Sequence, residues 1–171
     1  IIWKYLPYGP FKSYSNFKKW LKSECLKKDP FFYSVYSKRH KRYCGMVSYL
    51  RIVPEHGSIE VGHINYSLIL QNTVEGTETM YLMMYNAFEN LGNRRYEWKC
   101  NNLNKDSKKA AKRLGFKYEG IFRQMFVFKG RNRDSAWFSI IDKEWKQIQT
   151  RFKKYLNPSN FDNNYKQIKK L

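Results

Sequence analysis

Gln71-Asn72-Thr73-Val74-Glu75-Gly76-Thr77-Glu78 opens the stretch whose reading decides the fold, and that stretch runs on to Phe116. From Thr77 to Leu91 apolar residues recur at helical spacing. Tyr81, Met84, Phe88 and Leu91 form one stripe, Met80, Met83 and Ala87 broaden it, and Gly92 is a natural stop. Arg95 to Cys100 reads as a strand. Asn104-Lys105-Asp106-Ser107 then opens a second helix, which runs to Leu114 and stops at Gly115. The order is loop, helix, strand, Asn-x-x-Ser, helix, Gly-Phe.

Working outward, Ser13 to Lys28 predicts an amphipathic helix with Phe17, Trp20, Leu21 and Cys25 on one side, ended by Asp29-Pro30. Phe31 to Ser37 and Cys44 to Val53 read as strands around a basic turn at Lys38–Arg42. Pro54 and Glu55-His56-Gly57 make the next turn. Ile59, Val61, His63 and Asn65 alternate with Glu60, Gly62, Ile64 and Tyr66, as a third strand does. Beyond Phe116, a hairpin is expected from Phe116–Phe128 and Ser135–Ile141, turning through Gly130-Arg131-Asn132-Arg133. A last helix presents Trp145, Ile148, Phe152 and Tyr155. The reading is one α/β domain over 1–156, a mixed sheet covered on both faces, and a loosely docked polar tail over 157–171.

Composition bounds the function. The 171 residues, 42% of them apolar, suit one domain with a sizeable core. No apolar run approaches the roughly 18 to 20 residues that cross a bilayer, and no targeting segment is evident, so a cytoplasmic protein with no membrane partner is expected. Cys25, Cys44 and Cys100 form no CxxC pair and no Cys/His cluster, which points to buried free thiols and no metal site. The net charge of +19, from 33 Lys+Arg against 14 Asp+Glu, attracts RNA, anionic membrane or a phosphate-rich cofactor. Clusters at Lys38–Arg42 and Lys108–Arg113 contribute to it.

Two short motifs carry chemistry. A small-residue loop directly before a helix points backbone N–H groups and the positive end of the helix dipole outward, where a pyrophosphate fits. The plain alternative is an ordinary helix start. Asn104 and Ser107 likewise read either as a helix cap with a solvated first-turn serine or as a polar pair facing a ligand.

Taken jointly, the loop, the long helix, Asn104-x-x-Ser107 and Leu114-Gly115-Phe116 resemble the acetyl-CoA half of the GCN5-related N-acetyltransferases (GNAT). The resemblance is to the branch that includes the ribosomal-protein acetyltransferases. Ile59-Glu60-Val61-Gly62-His63-Ile64, Arg94–Cys100 and Lys129–Asp134 also look like that branch, so the resemblance spans about Trp3 to Phe161. It implies a mostly antiparallel central sheet flanked by helices. A first strand and helix normally precede Trp3, so the chain reads as truncated at its N-terminus, which would leave a sheet edge open.

The resemblance also implies acetyl-CoA as acetyl donor. Gln71, Asn72, Thr73, Val74, Glu75, Gly76 and Thr77 would form the pyrophosphate loop. Its family pattern, Gln/Arg-x-x-Gly-x-Gly/Ala, is matched at Gln71 and Gly76, with Val74 at the first glycine's position. Asn104 would bond the pantetheine arm, and Ser107 would face the sulfur and protonate the departing thiolate. Glu60 and Glu97 match the family's strand-borne base, Glu60 first because it precedes the loop. His63 takes that place if the strand faces are reversed, and a structural carboxylate paired with an arginine is the plain reading of Glu60. Oxyanion donors would be N–H groups around Tyr66–Ser67.

Lys129–Asp134 is expected either as a basic tip at the site or as a solvated turn with Arg133–Asp134 pairs. Tyr5–Phe11 would either wall the acceptor pocket or simply pack. The implied activity is direct acetyl transfer to an amine: a protein N-terminus, a lysine or a small amine. The +19 charge would repel a strongly cationic one. Two alternatives stand beside it, a basic RNA-binding protein without chemistry and an acetyl-CoA-binding member without catalysis.

Overall fold

Residues 2–162 and 167–171 are described by a computed structural model. Ser13 caps α1 (Tyr14–Glu24) by accepting the Asn16 N–H, and Cys25 closes it, so the helix ends a turn short of Lys28. Three strands come next: β1 (Phe31–Ser37), β2 (Arg42–Val53) and β3 (Ser58–Tyr66). The turn between β2 and β3 closes on Gly57 at φ 54, a left-handed position that suits glycine. Then come α2 (Val74–Tyr85), β4 (Arg95–Asn101), α3 (Lys105–Leu114), the hairpin β5 (Lys117–Phe128) and β6 (Arg131–Ile141), and α4 (Asp142–Leu156).

The six strands lie in the order β1-β2-β3-β4-β6-β5. Every pairing is antiparallel except β3 with β4, and that parallel pair requires the α2 crossover. One face of the sheet carries Val47, Tyr49, Ile59, Val61, Tyr96, Trp98, Phe138 and Ile140 into the core. α2, α3 and α4 close over them with Met80, Met84, Ala111, Leu114, Trp145, Ile148 and Phe152. Each such fully buried side chain contributes about 1.5–3 kcal/mol. On the opposite face α1 and the N-terminal segment pack through rings: Tyr8 against Trp20 and His63, and Phe32 against both Trp20 and His63. The mixed sheet with helices on both faces is therefore the architecture expected from the sequence.

Besides the end of α1, other boundaries differ from the expectation, and β2 takes in Arg42 and Tyr43. α2 begins at Val74, because the Thr73 hydroxyl accepts the Gly76 N–H at 3.0 Å and starts the helix a turn early. Past Tyr85 it widens into a π turn over Asn86–Asn90, where the Leu91 N–H reaches back to the Asn86 carbonyl. The extra residue rotates the last turn, so Leu91 leaves the predicted stripe and is exposed. The hairpin turns at Lys129-Gly130 with both φ positive (52 and 72), as a two-residue type I′ turn requires, and β6 takes in Arg131 to Arg133.

The C-terminal segment is also better anchored than a loose tail. Buried Asn160 donates from Nδ2 to the carbonyls of Tyr155 and Lys169, both at 2.9 Å, and accepts the Lys169 N–H at 2.8 Å. Leu171 packs on the core. Asn160→Ala leaves these backbone groups unpaired and should lower unfolding free energy by about 1–3 kcal/mol. A urea midpoint unchanged from wild type would show that this docking adds no stability.

Candidate active site

β3 and β4 pair from Ser58–Arg95 to Val61–Trp98 and no further, although β3 runs on to Tyr66 and β4 to Asn101. The separation coincides with a bulge in β3. Asn65 lies opposite Met46 and Gly62 opposite Ser48, so His63 and Ile64 share the place facing Val47, with His63 at φ 50. A cleft of about 960 Å³ opens at the wedge between the two strands.

The bulge changes the reading of the strand faces. Simple alternation sets His63 opposite Glu60, so that only one of them serves the cleft. The extra residue cancels the alternation, and both line it. His63 Nδ1 lies 3.1 Å from the Tyr8 hydroxyl, with its ring stacked on Tyr8. Burial, then the nearby Arg51, lowers its pKa to about 4, so it stands as a neutral imidazole at pH 7.

Of the loop, Gln71, Asn72, Thr73, Gly76 and Thr77 line the cleft, whereas the Val74 and Glu75 side chains do not. Glu75 accepts the Ser37 hydroxyl hydrogen at 2.8 Å. Gln71 donates from its side chain to the Tyr66 carbonyl at 2.8 Å. A Cβ on Gly76 would sit 2.6 Å from the Leu70 carbonyl oxygen, so the loop's own backbone demands this glycine. The Gly76 N–H is taken by Thr73, which leaves the Val74 and Glu75 N–H groups as the first-turn donors without a helical acceptor. Arg113, donating to Thr77 Oγ1 at 3.0 Å, and Lys109 add positive charge at this end of the cleft.

Asn104 and Ser107 also line the cleft. Asn104 caps α3, its Oδ1 accepting the Ser107 N–H at 3.2 Å, and the Trp98 indole N–H donates to Ser107 Oγ at 3.0 Å. These two bonds fix the serine in the wedge. Of the three thiols, Cys44 and Cys100 are buried and Cys25 partly so. Burial raises Cys100, and burial, then the Glu24 charge, lifts Cys25 to about 11, which keeps both as thiols rather than nucleophilic thiolates.

The expected oxyanion donors divide. The Ser67 N–H is spent on the Cys44 carbonyl at 2.8 Å and is not available. That bond makes Gly45–Tyr66 a non-hydrogen-bonded pair, whose N–H groups point away from the partner strand. The Tyr66 N–H therefore faces the wedge.

Charge is more structured than the sequence reading foresaw. Glu60, 3% exposed, is held by Arg51 Nε at 2.7 Å and Lys99 Nζ at 2.9 Å. Burial raises its pKa, and the two cations only partly offset this. Lys99 also binds Glu97 at 2.7 Å and lies 3.5 Å from the Trp137 ring centroid. Glu97 feels burial too, but Lys99 and Arg95 outweigh it and hold its carboxyl below the usual range. Glu97 stands behind Lys99, outside the cleft lining.

Arg51, Lys99 and Arg133 line the cleft; Arg133 belongs to the basic tip that the sequence offered for the site, whereas Arg51 and Lys99 were not singled out as site residues. The opposite charges at Arg95, Glu97 and Lys99, two apart on one strand face, were the available signal. The expected Arg133–Asp134 pairing is absent among the described residues: Asp134 accepts the Gln124 N–H at 2.7 Å, and Arg133 turns into the cleft. The N-terminal segment both reaches the cleft and packs. Tyr5, Leu6 and Pro7 wall the cleft, while Trp3 and Phe11 pack against Phe17. No helix is long and apolar enough to cross a membrane, and no metal-ligating cluster occurs, among the described residues.

Residues 2–117 match the family model of the acetyltransferase (GNAT) domain. A GCN5-related N-acetyltransferase from Brucella melitensis superposes with a TM-score of 0.96 at 40% identity, over 99% of this chain and 76% of its own. A probable acetyltransferase of the GNAT family from Chromobacterium violaceum gives 0.80 at 43% identity, over 85% of this chain and 73% of its own. A spermidine N-acetyltransferase variant from Vibrio cholerae shares the fold at 17% identity, with a TM-score of 0.65 over 88% and 82% of the two chains. No curated protein matches the sequence.

The buried histidine makes stability depend on pH. Its pKa is about 4 in the fold against 6.5 unfolded, so between these values the unfolded chain binds a proton that the folded chain refuses. Its stabilising effect is complete above pH 6.5 and falls away by pH 4, by up to about 3 kcal/mol. The difference in melting temperature between wild type and His63→Asn should shrink steadily as pH falls through this window. A constant difference would show that His63 is not held neutral.

Proposed function

The chain belongs to the GNAT acetyltransferase family, and on that premise we propose an acetyl-CoA-dependent N-acetyltransferase that transfers directly to a primary amine with both substrates bound together. The observation that carries this reading is the wedge: two strand edges inside one cleft, beyond Val61 and Trp98, without a strand partner. Such edges need hydrogen-bonding partners, and the amide-bearing pantetheine arm offers them. The flanks around Glu60, Tyr96 and Asn132 support placing the protein in the branch of the ribosomal-protein acetyltransferases, as a cytoplasmic enzyme.

Gln71, Asn72, Thr73, Gly76 and Thr77 would hold the pyrophosphate, with Val74 and Glu75 acting through their N–H groups at the positive end of α2. Asn104 would bond the pantetheine arm. Bound acetyl-CoA supplies an acetyl group already activated as a thioester. An amine with a pKa near 10 is mostly protonated at neutral pH, so a base must first free it. Glu60, its pKa raised by burial, takes that proton directly or through water. His63, already neutral, orients the amine by accepting a hydrogen bond. The Tyr66 N–H stabilises charge developing on the carbonyl oxygen. As the amide C–N bond forms and the thioester C–S bond breaks, the nitrogen's second proton would end on sulfur, handed over by Ser107 Oγ.

A second reading has one observation of its own. Lys105, Lys108, Lys109 and Lys112 line a groove of about 470 Å³ between α3 and β5, with Tyr118 and Ile121. Lysines beside an exposed aromatic suit RNA. Calorimetric titration separates the two readings. Saturable one-to-one acetyl-CoA binding that persists at high salt is expected. Its absence, alongside steeply salt-dependent RNA binding, would favour the second. Ser107→Ala should lower kcat about tenfold or more with little change in acetyl-CoA affinity. A wild-type kcat would remove the serine from proton delivery.

A further inference from the structure

We propose that the acceptor is an amine that also carries an oxyanion, a carboxylate or a phosphate, and that Arg133 is the residue that reads it. This rests on the acetyltransferase reading of the cleft and narrows its substrate class.

Arg133 stands where an acceptor must come. Along β6, Ala136, Phe138 and Ile140 point into the core under α2, α3 and α4, so Arg133, Ser135 and Trp137 face the opposite side. Glu60, Glu97 and Lys99 share that face, since Glu60 pairs with Glu97 while their neighbours Val61 and Trp98 enter the core. Arg133 sits opposite Phe126 in the hairpin, with its guanidinium 4.8 Å from the Phe128 ring centroid and 5.7 Å from that of Phe126. The two rings flank the guanidinium and form an apolar wall at this end of the cleft.

The charge around it does not close. The cations lining this end are Arg51, Lys99 and Arg133, and the carboxylate beside them is Glu60. Glu60 is already shared between Arg51 and Lys99. Among the described residues Arg133 has no ion pair within 4.0 Å, and its Nε is buried without a hydrogen-bond partner. A partly buried guanidinium group gains most when an anion meets it, and its planar fork suits a carboxylate or phosphate. The reacting ammonium of any acceptor meets Glu60, but a polyamine's further ammonium groups would add positive charge to an end already in surplus, the cleft's other carboxylate, Asp106, standing in the first turn of α3 beside Ser107. An acidic amine brings the missing charge, and its ammonium group can still reach Glu60.

The test compares matched amines, with thiol release and acetylated product as readouts. The pairs are L-phenylalanine against phenethylamine, L-lysine against cadaverine, and 3-aminopropylphosphonate against propylamine. The acidic member of at least one pair should show kcat/KM at least tenfold above its partner. Arg133→Gln should erase that preference and Arg133→Lys restore part of it, with the KM for acetyl-CoA unchanged. A preference in the phosphonate pair alone assigns a phosphate, and one in the amino acid pairs a carboxylate. The absence of such a preference in every pair, or no turnover by a chain that binds acetyl-CoA, would each overturn the inference. The comparison on wild type holds even if the Arg133 variants misfold. Failure to bind acetyl-CoA, seen separately by calorimetry, would instead remove the underlying reading and this one with it.

Discussion

Everything at the candidate site depends on the break in pairing between β3 and β4 after Val61 and Trp98. Up to that point the two strands are parallel neighbours, with Ile59, Val61, Tyr96 and Trp98 locked beneath α2 and α3. Beyond it they diverge, while β3 still holds to β2 and β4 to β6. The sheet can open there because each strand keeps one partner and half of its backbone bonds. The bulge at His63 supplies the bend, and local twist increases at such a point. The same bend turns the Tyr66 N–H into the gap and carries β3 toward the loop that starts α2.

A chain of alternating charges lies across the face on which the acceptor would sit. It runs Arg51, Glu60, Lys99, Glu97, Arg95, Glu119, with contacts of 2.7, 2.9, 2.7, 2.7 and 2.5 Å. Buried ion pairs are weak evidence for stability, because desolvation opposes their attraction. Their effect here is to hold position. Lys99, its side chain 2% exposed, is bridged by two carboxylates and covered by Trp137, which ties it to Glu60. Glu60 is thereby both a carboxylate lifted by burial and one oriented by two cations. The ion pairs are those of the plain reading of that residue, and the base role proposed for it would work from within them, while Arg133 nearby has no ion pair among the described residues.

Most of the fold could be read from short-range chemistry. Asn104 and Gly115 mark the ends of α3 because a cap involves residues within a turn of one another, whereas the Thr73 cap of α2 was passed over. The Asn104 cap shows how close the plain and functional readings of a motif can be. The asparagine closes the helix, and closing it is what sets Ser107 against Trp98 in the wedge. The π turn after Tyr85 was not foreseen, and the hairpin turn was set a few residues past Lys129-Gly130, since periodicity registers a helix or hairpin but not a single inserted residue.

From the sequence alone came the element order, the mixed α/β class, the family resemblance and the positions of Gln71–Thr77, Asn104 and Ser107, because each is written in neighbouring residues. Only the tertiary structure decided what surrounds them. It set His63 beside Tyr8, 55 positions away, joined Glu60 to Arg51 and Lys99, spent the Ser67 N–H on Cys44, and turned Arg133 inward. Those outcomes hang on one bulge and on strand registers. A shift of one residue in a strand moves every side chain to the other face, and which register wins is settled by contacts between segments far apart in the chain.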